Sequence, residues 1–327
     1  MRALALLMTL ILPFVAECRA AIAPNKAPEF KDITAWLNSE PLLMENLKGR
    51  VVLIDFWSYS CINCLRTLPY LNRWYSTYKN KGFVIVGVHS PEFQFEHSKE
   101  NVLFAIKRYG IHYPVAMDNH FTTWRSYSNR FWPTKYLIDQ EGRIRFRHIG
   151  EGGYLEMENA IRKLLDLAPL KETQATPKRK KTTPEIYLGS RRADNYSNTT
   201  VLKPNAISLY KGTLPLQDDD VALVGLWRVA PDSVTSAGTN CRILVSCLAS
   251  KVHMVLTGAS PDPITVWVDG KPLSDKHYTQ DMDAEGQLFM DDDRKYDLAD
   301  FHGEMKRRTL IIKIPAGISA YTFTFGQ

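Results

Sequence analysis

The spacing of apolar positions changes character twice along the chain. An apolar run at 51–57, VVLIDFW, broken only by Asp55, predicts a strand buried on both faces. Leu65, Leu68, Leu71, Trp74, Tyr75 and Tyr78 then recur every three or four residues, which predicts a helix over 65–78 ended by Lys81 and Gly82. The same reading predicts a buried strand at 83–88, an amphipathic helix at 98–109 closed by Gly110, a strand near 113–117 and a short helix at 119–130. Strands at 131–139 and 143–148, joined by a turn at 140–142, and a closing helix at 154–167 complete this half. Upstream, apolar stretches at 33–37 and 42–47 flank a turn, and Lys48 with Gly49 break the chain before the strand at 51. Strands alternating with helices imply an α/β sheet covered by helices on both faces.

Residues 168–184, APLKETQATPKRKKTTP, are polar, basic and punctuated by proline, and are expected to form a linker. Beyond them the helical period disappears. Short strand-like runs at 221–229, 242–249, 252–257, 264–268, 309–314 and 321–325, separated by Gly, Pro and Asp, predict an all-β sandwich of jelly-roll type over 185–327. At the other end, Arg2, an apolar core at 3–16 and small residues at Ala20 and Ala21 have the pattern of a secretory signal. Cleavage after Ala20 is expected to remove residues 1–20 with Cys18, leaving the first folded domain as 21–167. The core is short for a membrane span, and an uncleaved anchor is the alternative.

Length and composition agree with two domains: 327 residues, of which 45% are apolar. The formal charge of +6 is concentrated in part at Lys171, Lys178, Arg179, Lys180 and Lys181, so no broad nucleic-acid-binding face is expected.

The candidate chemistry lies where the first strand meets the first helix. Cys61 and Cys64 form a C-x-x-C pair, and Cys61 would stand at the helix N-terminus, where peptide dipoles stabilise a thiolate. The thiolate is the attacking species in disulfide exchange, so Cys61 is the expected nucleophile and Cys64 the resolving thiol. A carboxylate in the apolar run is costly, because burial disfavours its charged form and raises its pKa. Such a group suits proton exchange with Cys64, and Asp55→Asn is then expected to gain stability or lose little. A structural zinc pair is the competing reading, but no second C-x-x-C completes it.

The offsets of Asp55 and Pro69 from the cysteines, with DFW ahead of them, resemble thioredoxin. Trp132-Pro133, opening a strand, resembles the cis-proline loop of that fold; a cis bond there would lay the substrate-binding loop of Trp132 and Pro133 against Cys61 and offer Trp132 backbone groups to an extended substrate segment, and a trans proline that starts an edge strand is the alternative. HSPEF at 89–93 and the helix inserted before YPVAMD resemble the secreted TlpA-like reductants. WSYSCINC and VGVHSPEF, together with TPEIYLGSRRADNY, LVGLWRV, VWVDGKPL and AYTFTFG, resemble the DipZ family over nearly the whole chain after 20. That resemblance implies a thioredoxin-like α/β domain followed by a carbohydrate-module-like β domain, and a thiol-disulfide oxidoreductase acting on protein disulfides, with reduction favoured. It implies a periplasmic or extracytoplasmic location and no cofactor. In that family a CcdA-type membrane domain commonly precedes these two domains. The sequence contains no such multi-span segment, so a separate CcdA-like or DsbD-like electron donor is implied. Contact with carbohydrate or the cell envelope through the β domain is implied only by the likeness to carbohydrate modules.

Other features point less far. Cys241 and Cys247 on one strand would be about 20 Å apart, beyond disulfide reach, and are expected to be buried thiols. Asp281, Asp283, Glu285, Gly286 and Asp292 roughly follow calcium-loop spacing, although turns collect acids for many reasons, and no metal site is assigned. Trp227, Trp267, Tyr278 and Tyr296 could stack on sugars, but aromatics in strand-like runs are more often core. Two other functions use the same cysteines: a peroxiredoxin-related peroxidase, which needs its own Pro- and Thr-containing loop around the cysteine, and a copper chaperone adding His89 or His120.

Overall fold

The computed structural model describes residues 26–171, 181–197 and 201–327. The expected signal segment at 1–20, Cys18 and most of the expected linker lie outside them. Among the described residues no helix is long and apolar enough to cross a membrane.

The first half is a six-stranded sheet. Its strands are β1 (Ala35–Leu37), β2 (Val51–Trp57), β3 (Phe83–His89), β4 (Val115–Met117), β5 (Thr134–Ile138) and β6 (Ile144–Ile149), in the order β1-β4-β3-β2-β5-β6. Four helices accompany it: α1 (Ile62–Tyr78), α2 (Lys99–Arg108), α3 (Thr122–Ser126) and α4 (Tyr154–Leu164). This is the thioredoxin-like α/β domain. β2 is central, parallel to β3 and antiparallel to β5. Its alternate side chains go to opposite faces. Val51, Leu53 and Trp57 join the core that holds Leu68, Leu71 and Trp74 of α1, whereas Val52, Ile54 and Phe56 join a second core with Trp124 and Tyr136. Period two therefore puts Asp55 on the α1 face.

The helix expected at 119–130 shortens to α3. Phe121 ahead of it and Ser128 behind it both have positive φ, and the Asp118 carboxylate accepts the amides of Thr123 and Trp124 at 3.1 and 2.7 Å, which fixes the start at Thr122.

The second half is all β, with eleven antiparallel strands: β7 (Ile186–Tyr187), β8 (Ile207–Lys211), β9 (Val221–Val229), β10 (Val234–Ser236), β11 (Cys241–Ala249), β12 (Lys251–Thr257), β13 (Thr265–Val268), β14 (Lys271–Pro272), β15 (Arg294–Asp300), β16 (Lys306–Ile314) and β17 (Ser319–Gly326). They form one continuous sheet in the order β14-β13-β16-β11-β9-β10-β17-β12-β15, with β7 added to β17 and β8 to β9. Its two arms share one apolar core: Ile243, Val245 and Ile312 from one arm and Met254, Leu256 and Phe323 from the other. The sheet is thus folded over on itself, joined where β9 passes its pairing from β11 to β10.

The ends of the expected linker are tied to the halves they adjoin. Leu170 donates its amide to Asn159 Oδ1 at 2.7 Å, and Thr183 exchanges bonds with Leu248 at 2.9 and 2.7 Å. The halves also touch each other. Phe93 and Phe95, in the loop after β3, pack on Tyr321 at 4.9 and 5.0 Å, and the Glu92 carboxylate accepts from Arg192 at 2.8 Å and Tyr187 at 3.0 Å. Arg108 at the end of α2 reaches Asp281 at 3.3 Å.

Candidate active site

The loop 58–61 delivers Cys61 to the N-cap of α1. Its sulfur accepts the Cys64 amide at 3.2 Å and the Cys64 thiol at 2.7 Å, and both cysteines are free. The two differ in surroundings. Cys61 is half-buried, whereas Cys64 has no exposed surface, and burial pushes its thiol well above the ordinary cysteine range, with the hydrogen bond to Cys61 adding to the effect. An accessible sulfur next to a buried one held as a thiol can form a mixed disulfide first at Cys61.

Asp55 is fully buried on the α1 face of β2, and Cys64 feels its charge. Burial raises its carboxyl above the usual range, and Lys135 opposes the rise. Lys135 stands directly opposite Asp55 in the β2–β5 register, with Nζ 3.2 Å from Oδ1 and the side chain 3% exposed. Sequence reasoning missed this partner. The available signal was a lysine inside TKYLI, a run otherwise apolar enough for a buried strand. Gly87 faces Asp55 from β3, where a Cβ would sit 3.0 Å from Trp57 Nε1 and 3.1 Å from the Tyr113 ring.

The loop before Cys61 is held by Glu96, also missed. This buried carboxylate accepts four hydrogen bonds: from the Ser58 hydroxyl at 2.6 Å and Ser60 amide at 3.1 Å on one oxygen, and from the Glu92 and Phe93 amides at 2.5 and 3.1 Å on the other. Burial raises its pKa and the hydrogen bonds counter that. One side chain thus ties the cysteine loop to the HSPEF loop, which in turn touches the β domain. Glu96→Gln keeps one acceptor oxygen and turns an NH2 group toward two of these donors. It is expected to cost about 2 kcal/mol in urea unfolding and to slow disulfide reduction severalfold; an unchanged unfolding midpoint would remove Glu96 from this role.

The Trp132–Pro133 peptide is cis. Trp132 is half-buried, donates Nε1–H to the Ser90 carbonyl at 3.0 Å and packs on Trp124 at 4.4 Å.

The two histidines that a copper site would recruit differ in burial. His89 is fully buried between Trp57 and Tyr59, and burial drives its pKa down to about 3; His120 is exposed. Among the described residues no three His, Cys, Asp or Glu side chains converge as metal ligands. At the calcium-like stretch, Asp281 is taken by Arg294, Arg108 and the Asp297 amide, and Asp283 accepts the amides of Glu285 and Gln287 in its own turn. Cys241 and Cys247 are buried free thiols of the β core. Trp227 and Tyr296 are core residues, whereas Trp267 and Tyr278 are half-buried.

Comparison with known proteins divides the chain at the same place. Residues 23–164 match the family described as Redoxin, and residues 183–326 match the family described as thioredoxin like C-terminal domain. The protein DipZ of Mycobacterium tuberculosis is 38% identical over 260 residues, which are 76% of this chain and 37% of DipZ. The thiol-disulfide oxidoreductase ResA of Bacillus cereus is 30% identical over 156 residues, 48% of this chain and 86% of ResA. The solved thiol-disulfide isomerase of Corynebacterium glutamicum aligns with 43% of this chain and 98% of its own, at 25% identity and a TM-score of 0.40. The chain thus spans somewhat over a third of the length of the DipZ protein it matches.

Proposed function

We propose, for a chain that belongs to the redoxin family of thiol-disulfide oxidoreductases and is a homologue of DipZ and ResA, that it reduces protein disulfides on the extracytoplasmic side of a membrane through Cys61 and Cys64. The observation that carries this reading is the unlike pair at the start of α1, one sulfur half-buried at the N-cap and the other sealed beneath it near a buried carboxylate. The Cys61 thiolate attacks a client disulfide, forming a Cys61–client bond and releasing the second client sulfur. Asp55 takes the Cys64 proton, and the Cys64 thiolate then displaces the first client sulfur. The client gains two electrons, and the Cys61–Cys64 pair becomes a disulfide. Trp132 offers backbone groups to the client segment, and the cis Pro133, whose carbonyl is taken by the Gly150 amide, shapes the loop that presents them.

Renewed turnover needs a dithiol donor, for which we take a CcdA-like or DsbD-like membrane protein. Carbohydrate contact by the β domain rests on family resemblance, and buried Trp227 and Tyr296 do not serve it.

The test is equilibrium titration of the pair against glutathione, alongside stoichiometric reduction of a protein disulfide such as insulin. A potential near thioredoxin's, about −270 mV, is expected. A value close to that of a strong oxidant, about −120 mV, would reverse the direction of flow.

A further inference from the structure

A polar cleft of about 490 Å3 lies between α1 and the β domain, beginning one residue beyond Cys61. Ile62 and Arg66 line it from α1; Lys251 and His253 of β12 and Lys295 and Asp297 of β15 line it from the other side. Lys251 is ion-paired with Asp300 at 2.9 Å, and Lys295 with Asp297. Arg66 has no such short pair among the described residues. It reaches the Phe325 carbonyl at 3.5 Å and the Glu151 carboxylate at 3.7 Å, and burial lowers its pKa, while the charge of a Cys61 thiolate would raise it. With the Glu151 carboxylate no closer than 3.7 Å, this partly desolvated five-donor guanidinium can take a further anion.

The second observation concerns His253, which is 5% exposed. Its Nδ1 lies 2.6 Å from Asp297 Oδ1, and burial keeps the ring neutral, so Nδ1 carries the proton and Nε2 is an acceptor. Nε2 has no hydrogen-bond partner among the described residues. A Cβ at position 326 would stand 2.6 Å from Arg66 Nη2 and 3.5 Å from His253 Nε2, so the glycine leaves both groups facing one small space. A strong donor fork for an anion and a buried acceptor for an N–H converge there.

We propose that this cleft is a substrate subsite for the dithiol, taking a disulfide whose cysteine carries a carboxylate and an amide N–H close by: the carboxylate on Arg66 and the N–H on His253 Nε2. The inference rests on the reductase reading above and adds the substrate class. A client protein with an acidic residue beside its cysteine, or a small peptide disulfide such as glutathione disulfide, supplies that chemistry. The β domain then builds half of the substrate site. Electrons flow as described: the bound disulfide accepts two from the Cys61–Cys64 pair and is released as two thiols.

The experiment uses the full chain, reduced beforehand, in single-turnover stopped flow with two peptide disulfides that differ only in Glu or Gln beside the cysteine. The acidic peptide should react about tenfold faster at low salt, a preference that shrinks as salt is added. Arg66→Gln should bring the ratio of the two rates close to one, and Arg66→Lys should retain part of it. Glutathione disulfide and its dimethyl ester, run in parallel, show whether small disulfides share the Arg66 dependence; dependence in either pair supports the carboxylate subsite and names its source. No preference in any pair, or one that survives Arg66→Gln, overturns the proposal. Failure of the wild type to reduce any of these disulfides would instead overturn the reductase reading.

Discussion

Cys64→Ser is expected to turn the protein into a trap that stops after one client. On the proposed mechanism attack needs only the half-buried Cys61 at the N-cap of α1, and that sulfur keeps the backbone amide of position 64 as its donor, since the substitution leaves the main chain unchanged. Resolution needs a second sulfur beneath the first, and a serine hydroxyl cannot supply it. Multiple-turnover reduction should fall to background, while mixed disulfides accumulate to about one per protein molecule. Cys241 and Cys247 cannot substitute, since both are sealed in the β core. Non-reducing gels with peptide mapping read the result. Clients held by Cys64 in a Cys61→Ser variant, and none in Cys64→Ser, would exchange the two roles.

The sequence showed this pair clearly because its signals are local: an apolar run, two cysteines in one turn, and a helical period after them. The roles of Lys135 and Glu96 were hard to read for the opposite reason. Lys135 lies eighty residues from Asp55, and only the β2–β5 register brings them face to face. Glu96 acts through a loop whose period is neither that of a strand nor that of a helix. β15 escaped pattern reading because Arg294, Lys295, Asp297 and Asp300 make RKYDLAD look like a solvated turn. In the fold those charges are answered by Asp281, Asp291, His253 and Lys251, so a buried strand can carry them. The cleft beside Ile62 was equally hidden, since its two walls come from stretches nearly two hundred residues apart.

Lys135 also reverses one sequence-based expectation. With Asp55 considered alone, Asp55→Asn removes a buried ionisable group and should be neutral or stabilising. With Lys135 opposite it at 3.2 Å and almost fully buried, the substitution strands an ammonium without its anion. Breaking one side of a buried pair costs about 3 kcal/mol, so the single variant should unfold at lower urea, and adding Lys135→Met should recover most of the loss.

The pH dependence has a definite sign. Burial holds the Asp55 carboxyl above its unfolded value despite the pull of Lys135. An acid raised in the folded state contributes fully below its unfolded pKa and loses that contribution as pH rises through the folded one. The wild type should therefore lose stability from acid toward neutral pH through this group, and the Asp55→Asn/Lys135→Met variant should lack that slope. The kinetic effect is larger. Cys64 is held as a thiol by its burial, so on the proposed mechanism displacement of the client waits on removal of that proton, and without Asp55 the proposed base is gone. Resolution in Asp55→Asn should slow about a hundredfold at neutral pH, with attack by Cys61 much less affected, and should recover only as rising pH ionises Cys64 directly. Stopped-flow traces that separate formation from decay of the mixed disulfide measure both steps; decay as fast as in the wild type would leave Asp55 only the pairing of Lys135.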